Sequence, residues 1–394
     1  MLIAGAGPAG LSLAIGLRLA GVEAEVIDAA AEPKREPRAA VVWPRTAQVL
    51  AGWGLGPGLR AGGVALAAAR VHVRGRERGT LRFGDLPLAL PRPLVIEQDA
   101  VEDLLRARLA ELGGRVRTGV RLEALEFGAD HAEVRLATAA GEERRRFAWV
   151  AGAEGARSVV RKAAGLRFLG RPRPDVTCLQ GNARVRWRWE DRPGEGRFFL
   201  GRGATLGAFV TPVGDHRLYA FRADADLART GPPTLGEVEA LARELTGDAR
   251  LRLEPPARPW LNFARFQERT AERLVRGRAL LVGDAAHVWP AVGGHGMAVG
   301  IAGAHRLAAD LAAVVRGEAD ARVLDGYCRD QRRLARRCAR LADLDLLERP
   351  HGPMTLAALD ALLPALLGAP AVARGVERVI ASLGHAPGPA TAAP

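Results

Sequence analysis

Met1-Leu-Ile-Ala-Gly5-Ala-Gly7-Pro-Ala-Gly10 opens the chain, and the reading of these ten residues decides the fold. Residues 1–5 read as a short buried strand, and about Pro8 to Ala20 as a helix stopped by Gly21. Val22–Asp28 reads as the next strand, which makes the segment a βαβ unit. Gly5 permits the tight turn, Gly7 lets a pyrophosphate approach the backbone, and Gly10 lets helix and strand pack closely. Ala9 lies in the same turn, where the helix N-terminus supplies free N–H groups and about half a positive charge. Asp28, at the end of the second strand, is placed to accept hydrogen bonds from ribose hydroxyls. A bare GxGxxG is weak evidence. With strand, helix and acid in register it marks a dinucleotide site, without separating NAD from FAD.

The rest of the composition restricts what surrounds that site. At 394 residues and 48% hydrophobic content, the chain can bury a large core in two domains or so. Its net charge of +13 invites a nucleic-acid or membrane reading. Yet all the basic residues except Lys34 and Lys162 are arginines, spread along the chain among Asp and Glu, with no basic tail. A solvated arginine-rich surface is the expectation, with no nucleic-acid and no membrane partner. Cys178, Cys328 and Cys338 show no paired spacing, so neither a disulfide framework nor a zinc site is expected, and a reducing cytoplasm is the default. The apolar first twenty residues lack a basic leader, and Asp360, Pro364 and Pro370 interrupt the apolar stretch 356–373.

Along the chain, Pro44 opens a helix through Leu50. Short alternating strands and the proline-rich turn Leu86–Pro93 occupy 70–95. Asp99 reads as an N-cap with Glu102 three residues on, and Val101, Leu105 and Leu109 form an apolar stripe that ends at Gly113. Arg115–Val120, Ala132–Ala137 and Arg146–Val150 read as strands. Between 177 and 224 aromatics alternate with polar residues, as in an antiparallel sheet with one covered face. Helices follow at Leu235–Thr246, from the strand Ala279–Gly283 to about Arg316, and over Arg322–Glu348. Pro387–Pro394 reads as disordered. The domains are therefore discontinuous: 1–69, 94–168 and 262–348 bind the nucleotide, 70–93 and 169–261 form a substrate-binding sheet, and 349–394 is a helical tail.

Two distal stretches choose the cofactor. Gly152-Ala-Glu154-Gly155-Ala-Arg157-Ser158-Val-Val-Arg161 follows one strand, and Gly283-Asp284-Ala-Ala-His287-Val-Trp-Pro290-Ala-Val-Gly293-Gly294-His295-Gly296-Met297 follows another. With the first loop, in this order and spacing, they resemble the three fingerprints of the p-hydroxybenzoate hydroxylase-like, group A flavoprotein monooxygenases. The resemblance implies an α/β fold: a Rossmann-like, GR2-type FAD-binding domain with an inserted antiparallel β-sheet substrate domain and C-terminal helices. It implies FAD and NAD(P)H as cofactors. The implied reaction is oxygenation of a small aromatic or polyketide-like substrate, by hydroxylation or epoxidation through a flavin hydroperoxide, in a monomer or homodimer.

Carried over by residue, the resemblance assigns Gly5, Gly7, Ala9, Gly10 and Asp28 to the ADP half of FAD. Arg38, Gln98, Glu154 and Asp284 would contact the rest of the cofactor. Pro290 would border the flavin ring, with Gly294, His295 and Gly296 beside the reacting edge. The N–H groups of Gly296 and Met297 would stabilise negative charge on the pyrimidine side by about 1–2 kcal/mol. Three positions depart from the family pattern: Glu154 replaces an aspartate, Ala298 an asparagine and Gly303 an acid.

Single residues have plainer readings beside these. His287 reads as a loop anchor. Arg157 and Arg161 suit either nicotinamide phosphates or surface salt bridges. Trp187, Trp189, Phe199, Phe209 and Phe221 suit a sheet core or a pocket wall. Trp187-Arg-Trp189 superficially resembles a halogenase signature, but the Ile and Pro that should follow are missing. An oxygen-independent relative, a prenyl-chain reductase or a halogenase, and a catalytically silent FAD-binding protein stay open as alternatives. A plain NAD-dependent dehydrogenase leaves both distal motifs unexplained.

Overall fold

Leu2–Ala4 and Glu25–Ile27 are short strands because the residues between them form the helix Pro8–Leu19, which returns the chain in parallel. The computed structural model describes residues 1–83, 92–223, 229 and 231–382, with side chains through 379. The parallel core of the first sheet runs, in spatial order, Ala279–Leu281, Val150–Gly152, Leu2–Ala4, Glu25–Ile27 and Val116–Arg117. Val275–Arg276 adds antiparallel to one edge. The three strands nearest the middle are almost wholly buried, as a parallel sheet covered on both faces requires. Small residues allow the close helix packing. A Cβ on Gly16 would lie 2.6 Å from the Ala308 methyl of the long helix Gly296–Val315.

A second, larger sheet runs from His287–Val288 through Leu261–Ala271, Phe168–Arg186, His216–Arg222, Ala204–Val210 and Glu195–Gly201 to Ala68–Val73 and Arg76–Arg82. All neighbours are antiparallel except Glu195–Gly201 against Ala68–Val73. The expectation of one covered face is corrected here. Phe198 belongs to an apolar cluster with Val71, Leu356 and Leu359, while Phe199 belongs to one with Val238 and Leu245. Successive side chains point to opposite faces. The helix Pro353–Gly368 covers one and Leu235–Thr246 the other.

Other differences have local causes. Arg146–Val150 is not one strand: Gly141–Phe147 closes a three-stranded sheet, and Val150–Gly152 joins the parallel one. Residues 262–271 lie on the large sheet, hydrogen-bonded to Phe168–Arg186 on one side and, at Arg269 and Thr270, to His287–Val288 of the third fingerprint on the other. The helix Gln98–Glu111 begins one residue before Asp99, with Glu97 at its N-cap. Asp99 is instead buried and ion-paired with Arg258. The C-terminal segment is docked: Arg78 pairs with Asp360 at 2.6 Å, and Glu377 accepts from the Arg82 N–H at 2.6 Å. The turn expected at Leu86–Pro93 falls mostly, and the end at Pro387–Pro394 wholly, outside the described residues. Val292–Val315 is long and apolar enough to cross a membrane, with 56% of its most apolar window buried inside the protein.

Candidate functional site

The glycine loop has the geometry its spacing requires. Gly5 sits at φ +101°, and a Cβ there would strike the carbonyl of Ala153 at 2.4 Å. A Cβ on Gly10 would lie 1.9 Å from the Gly5 carbonyl oxygen. Gly7, the N-cap of the helix, is different: a Cβ there would meet no atom within 4 Å. The backbone is thus packed hard on one side and open on the other, which makes a trough at a helix N-terminus. Ala9 packs where the Gly283 and Gly300 backbones pass close by. Asp28 accepts from the N–H groups of Ala6 (2.8 Å) and Ala30 (2.9 Å), so its carboxylate fixes the loop that it borders.

The Gln98 helix runs past the same loop. Gln98 donates to Glu102 (2.9 Å), and Arg106 donates to the Ala6 carbonyl (2.9 Å) while its Nε is buried without a partner. Burial raises the Glu102 carboxyl above the usual range, against the pull of Gln98. Sequence reading found Gln98 and missed Arg106. The four-residue spacing 98, 102, 106 was the available signal, since it puts all three on one helix face. The Arg38 guanidinium holds Glu36 at 2.5 Å, and its carbonyl accepts from Arg217 at 2.6 Å. Arg217 is fully buried and lies over the Trp260 ring at 4.1 Å, so the large sheet clamps the Arg38 loop.

Asp284 is exposed to solvent in the turn Gly283–Ala285 that follows the strand Ala279–Leu281. Its surroundings raise the carboxyl above its ordinary value, opposed by the positive charge of Arg38. From there the chain turns through Val292–Gly294, with Gly293 at φ +77° and Gly294 at φ +63°, into the helix at Gly296. A Cβ on Gly296 would meet nothing within 4 Å, so the N-terminus of that helix, with Gly296 and Met297, is open. Pro290 is buried beneath the turn. His295 is buried and stacked on Trp43 at 4.7 Å and 8°, a partner that sequence reading missed because it comes from another helix entry. His287 is buried against Gln331 and pushed down to about 4 by desolvation, so it is a neutral anchor.

The second fingerprint is built around Glu154 and Arg161. One Glu154 oxygen accepts from the Val160 N–H at 2.9 Å, capping the helix Val159–Ala163, and the other is buried without a partner. Burial raises its carboxyl. Arg161 is neither a surface ion pair nor a free cation. It is buried, donates to the carbonyls of Ala285 (3.0 Å) and Ala156 (2.8 Å), and lies 3.9 Å over the Phe168 ring. It therefore ties the second fingerprint to the third. Ala298 packs in the apolar cluster with Trp43 and Leu356, and the Gln331 amide takes the space beside Gly303, 2.6 Å from where a Cβ would be. Trp187 and Trp189 pack with Phe199 on the Leu235–Thr246 side of the sheet. Among the described residues there is no group of three or more His, Cys, Asp and Glu able to hold a metal.

Comparison with known proteins agrees with this geometry. A family model described as FAD binding domain matches residues 1–342. The 6-methylpretetramide 4-monooxygenase of Streptomyces rimosus is 35% identical over 338 residues, which is 84% of this chain and 58% of that protein. The solved structure of the anhydrotetracycline hydroxylase OxyS, also from Streptomyces rimosus, superposes with a TM-score of 0.76 at 30% identity. That match covers 97% of this chain and 75% of the other. The p-nitrophenol 4-monooxygenase PnpA of Pseudomonas putida DLL-E4 superposes at 0.83 over 97% of each chain; at 24% identity the likeness is one of fold. The chain thus spans 58% of the length of the first of these relatives.

Proposed function

The chain belongs to the FAD-binding domain family, and on that premise we propose that it is an FAD-dependent monooxygenase using NAD(P)H and O2. Its substrate would be a small aromatic or polyketide-like molecule, the class named in relatives such as OxyS. The observation that carries this reading is that two helices packed on each other, Pro8–Leu19 and Gly296–Val315, both have open N-termini, at Gly7 and Gly296, with the exposed Asp284 next to Gly283, whose backbone passes close to Ala9.

The residues fit the cofactor. Gly5, Gly7, Ala9 and Gly10 would receive the pyrophosphate, and Asp28 the ribose. Arg106, with an unpartnered buried Nε, and Arg38 would meet phosphate or ribityl oxygens together with Gln98 and Asp284. Glu154 would act through the helix it caps. Bound FAD would supply hydride acceptance and oxygen activation. The protein's own contribution is electrostatic and steric. Free N–H groups at Gly296 and Met297 would lower the cost of negative charge on the flavin, and Pro290, Gly294 and His295 would shape the reacting edge. The apolar wall of the large sheet, with Tyr219, Phe221 and Phe266, would exclude water from the substrate. We also propose that the parallel-sheet pieces form the FAD-binding domain and the large sheet the substrate domain.

The test is to purify the protein with FAD and supply NADH or NADPH, a panel of phenols and polyketide aromatics, and isotopically labelled oxygen gas. One labelled oxygen atom in the product is expected. A colourless protein that ignores added FAD, or a product without the label, would sink the proposal.

A further inference from the structure

We propose that Glu348 is a positioning residue: its carboxyl clasps the Val292–Gly294 turn to the large sheet and sets the charge behind the turn that faces the bound flavin. The inference rests on the flavin reading above and concerns a residue outside all three fingerprints. Glu348 Oε2 accepts the Gly293 N–H at 2.7 Å. The carbonyl of Glu348 accepts the Thr205 hydroxyl of the large sheet at 2.6 Å. Asp345 Oδ1 accepts the N–H groups of Leu347 (2.7 Å) and Glu348 (3.0 Å), folding this segment back after the helix Val323–Leu344. One four-residue segment therefore joins the turn, the sheet and a helix end.

The turn needs such a clasp. Gly293 and Gly294 both have positive φ, a conformation that glycine enters and leaves freely. The turn also borders a gap of about 10 Å³, lined by Trp289, His295, Cys338 and Asp345, so its packing there is incomplete. Removal of the Glu348 carboxyl would leave the Gly293 N–H without an acceptor in a half-buried place, where the unmade bond is costly.

The same carboxyl carries a charge that depends on its neighbours. Burial pushes Glu348 up to about 8, and Asp345 adds to the rise while the Gly293 N–H opposes it. Asp345 is itself raised, with His351 pulling it down. From the sheet, Tyr219 and Cys178 face the pair, and burial keeps both protonated. Arg217 lies beyond Tyr219, at 4.9 Å from its ring. Arg349 is engaged by Asp343 and Asp175, and His295 is stacked on Trp43. Glu348 is thus held protonated above the ordinary carboxylate range, and when it ionises a negative charge appears behind the turn, which opposes negative charge on a reduced flavin.

Two measurements on Glu348→Gln, Glu348→Ala and the parent test this. The first is hydrogen exchange at the Gly293 amide in the FAD-free protein. Glu348→Gln retains an acceptor and should keep protection, whereas Glu348→Ala should lose it at least tenfold. The second is the flavin midpoint potential between pH 6 and 9.5. The parent should show a break near pH 8 that is absent in Glu348→Gln and moves to lower pH in Asp345→Asn. Parent-like protection in Glu348→Ala, or a break that persists in Glu348→Gln, overturns the proposal. If the protein takes up no FAD, the flavin reading and the charge part of this proposal fail together, and the exchange experiment alone still judges the clasp.

Discussion

Gly7, the N-cap, and Gly10, in the first turn of the helix Pro8–Leu19, lie three residues apart, and a methyl group would have opposite consequences at each. At Gly10 it would sit 1.9 Å from the Gly5 carbonyl oxygen and 3.1 Å from the Ala153 methyl, neither of which can yield without moving a strand. Gly10→Ala should therefore lose about 3 kcal/mol or more and fail to retain native structure. At Gly7 the methyl would meet nothing within 4 Å, on a backbone with the ordinary φ of −78°. Gly7→Ala should melt like the parent when free of FAD, yet bind FAD at least tenfold more weakly, because it fills the space proposed for the pyrophosphate. Thermal denaturation without FAD and fluorescence titration with FAD separate the two effects. Equal FAD affinity in Gly7→Ala would mean that the pyrophosphate lies elsewhere.

Where the long helix Gly296–Val315 meets Val323–Leu344, the Gln331 amide occupies the space beside Gly303. Gln331 donates to the Val299 carbonyl (2.9 Å) and reaches His287 (3.1 Å), tying two helices and the third fingerprint together. Gln331→Leu keeps the volume and removes these bonds inside a buried contact. It should cost about 1–3 kcal/mol in urea denaturation, and a cost near zero would show that the amide only fills space. This helix pair also shows the limit of the sequence. The glycine loop, both distal fingerprints and the helices Leu235–Thr246 and Gly296–Val315 were legible because their signals are local: fixed glycine spacing, apolar periodicity and a capping residue. Gln331, Trp43 and Glu348 were not, because each acts on a residue far away in the chain. Asp99 misled for the same reason. It has the spacing of a cap, but Arg258, brought in from the far end of the large sheet, claims its carboxylate. The Glu154 departure could be seen in the sequence, but its use as a helix cap could not.

At the scale of the whole molecule, buried titratable groups set opposing limits on stability with pH. Glu348 has a raised carboxyl, so its contribution is fully present below the ordinary carboxylate range and is lost as pH rises through about 8. His72 and His287 are both pushed down to about 4 by burial. Their folded forms bind fewer protons than the unfolded chain between about 4 and 6.5, so stability falls as pH drops through that window. His72 is the cleaner probe, since it lies far from the proposed flavin site, in the strand Ala68–Val73. Its ring is fully buried, stacked on Phe199 at 4.6 Å and edge-on to Trp189 at 5.4 Å, and neither nitrogen has a hydrogen-bond partner. Glu77, 4.0 Å away, favours the charged ring, but burial and Arg197 outweigh it. Phenylalanine would keep the aromatic contacts and remove the titration. Any packing penalty of His72→Phe is independent of pH, so the informative quantity is the change in its effect between pH 8 and pH 5. Relative to the parent, the variant should gain on the order of 1–2 kcal/mol on going to pH 5, read from urea denaturation at both values. A difference that stays constant with pH would mean that His72 is protonated as easily in the folded chain as in the unfolded one.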